Sequence, residues 1–176
     1  MSSTTLHNSP LVFDSTQMQE IDHILLWLAD QIGAPLVMVT DVSGRLLIYR
    51  GRLSSSQSSG LAALAAGSFA AGVEIGNFLG LQENKGFQHQ LLEGRLANLY
   101  TLTVGDDLLL VIAFTDKTTL GMVRLFSQQA QGELLKLADA ANIAREQSQL
   151  TEVRKPADGF NEELTNQLDD LFAEGF

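Results

Sequence analysis

Three histidines are the first residues to test for chemistry, because a neutral imidazole can act as a general base or hold a metal near neutral pH. His7, His23 and His89 stand in a terminal stretch, a helical pattern and a short apolar run. None belongs to an HExxH spacing, and no carboxylate is fixed beside any of them by position. The chain has no cysteine, so thiolate chemistry and thiolate metal sites are excluded. It also lacks GxxxxGK[ST], the loop that cradles nucleotide phosphates. The stretch TDKT at 115–118 has a faint likeness to a guanine-specificity loop, but it stands where a strand end meets a helix cap. Arg45, Arg50, Arg52, Arg95 and Arg124 lie on or beside predicted strands and at a helix start, where surface charge is the plain reading. No catalytic residue, metal or cofactor is expected, so function must rest on binding.

Charge narrows the partner. The 176 residues carry a formal charge of -10, which argues against nucleic acid and against an anionic membrane surface. A neutral or basic protein partner fits. The opening MSSTTLHNSPLVF has no basic region followed by a long apolar run, and with no cysteine the cytoplasm is the expected compartment. Residues 151–176 hold seven acidic side chains and two basic ones, so half of the excess negative charge sits in the last 26 residues. Within that tail Leu164, Leu168, Leu171 and Phe172 recur at i, i+4, i+7 and i+8, one apolar helical face among acids. It reads either as a partner-binding helix or as a solubilising end.

The elements that position these residues follow from pattern. Asp14 and Gln17 form a capping box, with Phe13 and Met18 placed as a hydrophobic staple. Met18, Ile21, Leu25, Leu28 and Ile32 then make one apolar stripe, ended by Gly33 and Pro35. PLVMVT and RLLIYR, separated by DVSG, predict a hairpin over 35–50 with both strands buried on two faces. The serine cluster at 53–60 reads as a loop. A long apolar helix follows it, and then GFQHQLLEG, LANLYTLTV and DLLLVIAFT predict a meander. Thr118 or Thr119 caps a last helix. The order α-β-β-α-β-β-β-α, with strands as apolar as LVMV and LLLVIAF, predicts an antiparallel five-stranded sheet covered on both faces, a three-layer α/β/α sandwich.

The stretch LAALAAGSFAAGVEIGNFLG at 61–80 is apolar on more than one face. On a 3.6-residue wheel Leu61, Leu64, Ser68, Ala71, Ile75, Phe78 and Leu79 carry the bulk, which suits the sheet. Ala62, Ala65, Phe69, Gly72, Val73 and Gly76 form a second face where glycines four apart admit another helix. Ala63, Ala66, Gly67, Ala70, Glu74 and Asn77 form a flat third stripe that suits docking. The helix is long enough to span a membrane, but a span would have to bury Glu74 and Asn77, so no membrane insertion is expected.

The element order, together with LAALAAGSFAAG, LYTLTVGDDLLLVIAF and TTLGMVRL, resembles the roadblock (dynein light chain) family over residues 17 to about 140. Within it the chain is most similar to the MglB-like bacterial members, to which the acidic end LDDLF adds. The resemblance implies a flexible N-terminus over 1–13, a roadblock domain over 14–146 and an acidic linker with a short amphipathic helix over 147–176. It implies a homodimer that pairs the second helix and the edge strand with their twins. It further implies that the dimer activates a GTP-bound, MglA-like Ras-family GTPase in cell polarity or motility, docking near its switch regions without donating an arginine finger. By the same resemblance the tail influences nucleotide exchange, and Glu74 departs from a position where relatives carry a small residue. A non-catalytic roadblock scaffold is the alternative, and a small-molecule sensor a third reading.

Overall fold

The structure is a computed structural model that describes residues 10–81 and 87–154. His7 and the apolar tail residues Leu164, Leu168, Leu171 and Phe172 lie outside the described residues. The chain divides into two compact units, Met1–Ala141 and Asn142–Phe176. The first unit holds helix α1 (Ser15–Ile32), strands β1 (Leu36–Asp41) and β2 (Leu46–Gly51), helix α2 (Ser55–Phe78), and strands β3 (His89–Glu93), β4 (Asn98–Val104) and β5 (Leu108–Phe114). Helix α3 (Leu120–Arg154) begins in the first unit and runs on into the second.

The strands form one antiparallel sheet in the order β2-β1-β5-β4-β3. Alternation along the two central strands sorts their side chains onto opposite faces. Val37, Val39, Leu108, Leu110 and Ile112 meet Ile21, Leu25 and Leu28 of α1 and Val123 and Leu134 of α3 in one core. Leu36, Met38, Leu109 and Val111 meet α2 in the other. The α/β/α sandwich is therefore present as expected from the strand hydrophobicity.

Local signals explain where the elements begin. Asp14 accepts from the Gln17 N–H at 2.8 Å and the Gln17 side chain accepts from the Asp14 N–H at 3.0 Å, closing the expected capping box. Gly33, at φ +59°, ends α1 in the left-handed conformation that glycine adopts without penalty. At α3 the Met122 N–H donates to Thr119 Oγ1, so Thr119 rather than Thr118 is the cap. TDKT is the turn before that cap, with the Thr118 N–H bonded to the Thr115 carbonyl.

Four expectations are corrected. Residues 53–60 are not a loop: Ser54 and Gln57 form a second capping box, and α2 starts at Ser55. The S-x-x-Q spacing was the available signal. The N-terminus is not free up to residue 13, because Leu11 is buried and its carbonyl accepts from Arg45 Nη2 at 3.1 Å. Helix α3 continues to Arg154, past 147 where a linker was expected, since nothing between 141 and 154 breaks a helix. Finally, β2 is half exposed rather than buried on both faces, because it is an edge strand.

Candidate protein-interaction site

Helix α2 starts from its serine box and then turns an unexpected face to the sheet. Ala62, Ala65, Ala66 and Phe69 are buried against Met38, Leu109 and Val111. Leu64 is 73% exposed and Phe78 91% exposed, and Ile75 and Leu79 are exposed with them. The predicted partition is thus reversed. The bulky face of Leu64, Ala71, Ile75, Phe78 and Leu79 points away from the core, with only Leu61 and Ser68 half-buried. The predicted twin-facing set, Ala62, Ala65, Phe69, Gly72, Val73 and Gly76, lies against the chain's own strands instead.

Close approach is the physical reason. Small side chains let the helix axis settle near the sheet, which larger ones would prevent. The glycines do admit a near neighbour, but that neighbour belongs to the same chain. A Cβ on Gly76 would stand 3.4 Å from the Phe87 ring, and one on Gly72 would stand 3.6 Å from Gln90 Nε2. Gln90 of β3 is itself tied to α2, accepting from Ser68 Oγ at 3.1 Å.

The predicted docking stripe is exposed only in part. Ala63, Gly67, Ala70 and Glu74 are exposed, Asn77 is half-buried, and Ala66 is buried in the α2 core. The stripe borders the β1–β2 turn, where Gly44 holds φ +90° and a Cβ would come within 2.8 Å of the Ala63 Cα. That turn is held rigidly. Asp41 accepts from the Ser43 N–H and hydroxyl at 3.0 and 2.6 Å, and from the Arg45 N–H and Nε, both at 2.9 Å. Burial pushes the Asp41 carboxyl up, but the bonds from Ser43 and Arg45 and the Arg45 charge outweigh it and hold it below 3.8.

Strand β3 closes the sheet as an exposed edge, with one row of backbone groups unpaired within the sheet. His89 sits on it, its ring 5.7 Å from that of Tyr100. His23 is an exposed residue of α1. Burial raises the Tyr100 hydroxyl pKa, against a bond and charge from Arg124. Among the described residues no three His, Cys, Asp or Glu side chains gather as metal ligands. Of the arginines, Arg45 is paired with Asp41, Arg50 with Asp22, and Arg124 reaches Tyr100. Arg52 and Arg95 are exposed and carry no ion pair among the described residues.

A Roadblock/LC7 domain profile matches residues 20–114. Among solved structures, MglB from Myxococcus xanthus is 31% identical, with 69% of this chain and 96% of that one covered and a TM-score of 0.61. The gliding protein MglB from Thermus thermophilus is 26% identical over 75% of this chain and 98% of that one, with a TM-score of 0.67. An MglB described as having a tetrameric arrangement is 26% identical over 76% and 98%, with a TM-score of 0.68. No curated protein sequence matches the chain.

Proposed function

The chain belongs to the roadblock/LC7 family, and from that premise we propose that it is a homodimeric, cytoplasmic regulator that stimulates GTP hydrolysis by a Ras-like bacterial GTPase. The observation that carries the proposal is the outer face of α2, which is apolar where a helix serving its own core alone would be polar. The MglB neighbours support the same reading, and one of them is a gliding protein, which points to motility.

The reversed partition moves the proposed contacts. The twin packs on the exposed stripe of Leu64, Ala71, Ile75 and Phe78, next to edge strand β3. The GTPase in its GTP form docks on the flat flank of Ala63, Gly67, Ala70 and Glu74. Small residues there permit close approach of a switch segment, and close approach is what selects one conformation of a mobile loop. The regulator supplies shape, and the GTPase supplies its own catalytic groups. The acidic tail is proposed to touch the GTPase away from that surface and to alter nucleotide release.

Single-turnover GTP hydrolysis by a Ras-like GTPase of the same organism decides the matter. Added protein should raise the rate by about tenfold or more, a barrier change of about 1.4 kcal/mol. Binding without acceleration would make the chain a scaffold. Absence of binding would end the regulator reading.

A further inference from the structure

Beside the docking flank, α2 does not seal against the sheet. A groove of about 380 Å³ opens there, with Val42 of the β1–β2 turn and Phe69, Val73 and Phe87 among its walls. Its lining also includes two carboxylates, Glu74 of α2 and Asp106 of the β4–β5 turn, and, among the described residues, no lysine, arginine or histidine. Both acids are exposed, and neither has a hydrogen bond or ion pair among the described residues. Apolar walls together with two unpaired negative charges specify an occupant. An apolar side chain would fill the groove but strip water from the carboxylates without pairing them. A metal ion would gain nothing from Phe69 or Val73 and would need more oxygen ligands than two acids provide. A lysine or arginine satisfies both parts, its methylene stem lying on the walls and its charged head at the acids.

We propose that this groove receives a cationic side chain, arginine or lysine, presented by the partner protein that docks on α2. The partner's identity as a GTPase rests on the function proposed above, whereas the cation site rests on the groove. The chain's charge of -10 draws a basic surface toward it before contact. Glu74 thereby joins the docking flank to the groove, one end of the contact reading shape and the other reading charge.

The test uses the full-length protein and n-butylguanidinium, the arginine side chain with its α-carbon as a methyl group, with 1-butanol as its uncharged counterpart. Methyl NMR should show saturable shifts at Val42 and Val73 with the cation. The double variant Glu74→Gln/Asp106→Asn should bind it roughly tenfold more weakly, and butanol equally well. Equal cation affinity in both proteins, or shifts that do not saturate, overturns the site. In the complex with a GTP-loaded Ras-like GTPase, Asp106→Asn alone should weaken binding about threefold and flatten its dependence on salt. An unchanged affinity and salt slope overturns the partner's use of the groove. A GTPase that binds neither protein overturns the regulator reading and the partner named with it, while the butylguanidinium titration still decides whether the groove takes a cation.

Discussion

Against the α1 and α3 side of the sheet, leucines, isoleucines and valines from both helices and the strands interlock in the larger core, although Leu26, Met122, Leu125 and Leu135 stay exposed on the outer helix faces. Against the α2 side the helix contributes three alanines and one phenylalanine, while Leu64, Ile75 and Phe78 stay in solvent. Fully burying a side chain of that size is worth about 1.5 to 3 kcal/mol. At exposures of 73%, 56% and 91%, the three together forgo roughly 3 to 7 kcal/mol, a large share of what many domains have in total. A second surface covering α2 would recover it. One side of the sheet therefore holds the larger core, and the other leaves the apolar surface on which the proposed partner would rest.

The largest expected effects set the two sides against each other. Ala65 is 3% exposed between α2 and the sheet, so Ala65→Arg should cost about 4 kcal/mol or more by burying an unpaired charge. Leu28, fully buried under α1, should cost about 3 kcal/mol as Leu28→Ala. Ala66→Gly, on the α2 side, should cost only about 1 kcal/mol, since it removes one methyl and some helix propensity. Urea denaturation measures all three. If Ala65→Arg folded normally and lost only its oligomeric state, α2 would face outward where the structure turns it inward.

The β1–β2 turn touches the α2 side through Gly44 and Ala63, and it depends on one carboxylate. Asp41→Asn removes the charge that Arg45 and Ser43 answer and should cost about 2 kcal/mol at neutral pH. Because the folded protein holds the Asp41 pKa below 3.8, the carboxylate's contribution is complete above that value. It fades as pH falls through the depressed folded value. Stability curves of the two proteins should therefore converge in acid. Curves that stay parallel down to about pH 2 would show that the cost comes from shape and not from charge.

How far the fold was legible follows from the same contrast. The α1 stripe, with its cap and its αL glycine, had one apolar face and so had one orientation. The strands alternate or are apolar throughout, and their order α-β-β-α-β-β-β-α left little choice of layers. Helix α2 offered no such asymmetry. When every third of a wheel is apolar, periodicity establishes the helix but not its rotation, and assigning bulk to the core picked the wrong third. Rotation was decided by distance: Gly76 under Phe87 and Gly72 beside Gln90 are tertiary facts with no local trace. The groove at Glu74 was invisible for a similar reason, since Asp106 and Val42 reach it from turns distant in sequence.

A smaller change in protomer stability should accompany a complete change in assembly. Leu64→Arg replaces an exposed side chain, so the protomer's own stability should move by less than about 0.5 kcal/mol. Light scattering should nevertheless show a dimer for the wild type at micromolar concentration and a monomer for the variant. The wild-type denaturation midpoint should rise with protein concentration, and that of the variant should not. A monomeric wild type, or a dimeric variant, would remove the claim that the α2 side is completed by a twin.

The smallest effect expected is none, and it is informative because the alternative is large. If activation came from an arginine of this chain, that arginine would have to be free to reach a bound nucleotide. Arg45, Arg50 and Arg124 are held by Asp41, Asp22 and Tyr100 and Arg145 bonds Asn142, which leaves Arg52 and Arg95 as the exposed, unpaired arginines beside the sheet. Arg52 follows β2 and Arg95 lies in the β3–β4 turn, both off α2. Arg52→Ala and Arg95→Ala should each leave stimulated GTP hydrolysis within about twofold of the wild type, whereas removing a true finger costs about 10³- to 10⁵-fold. No error of assay or folding spans that gap. A fall of two orders of magnitude in either variant would move the working surface from the small-residue flank of α2 to a loop at the edge of the sheet.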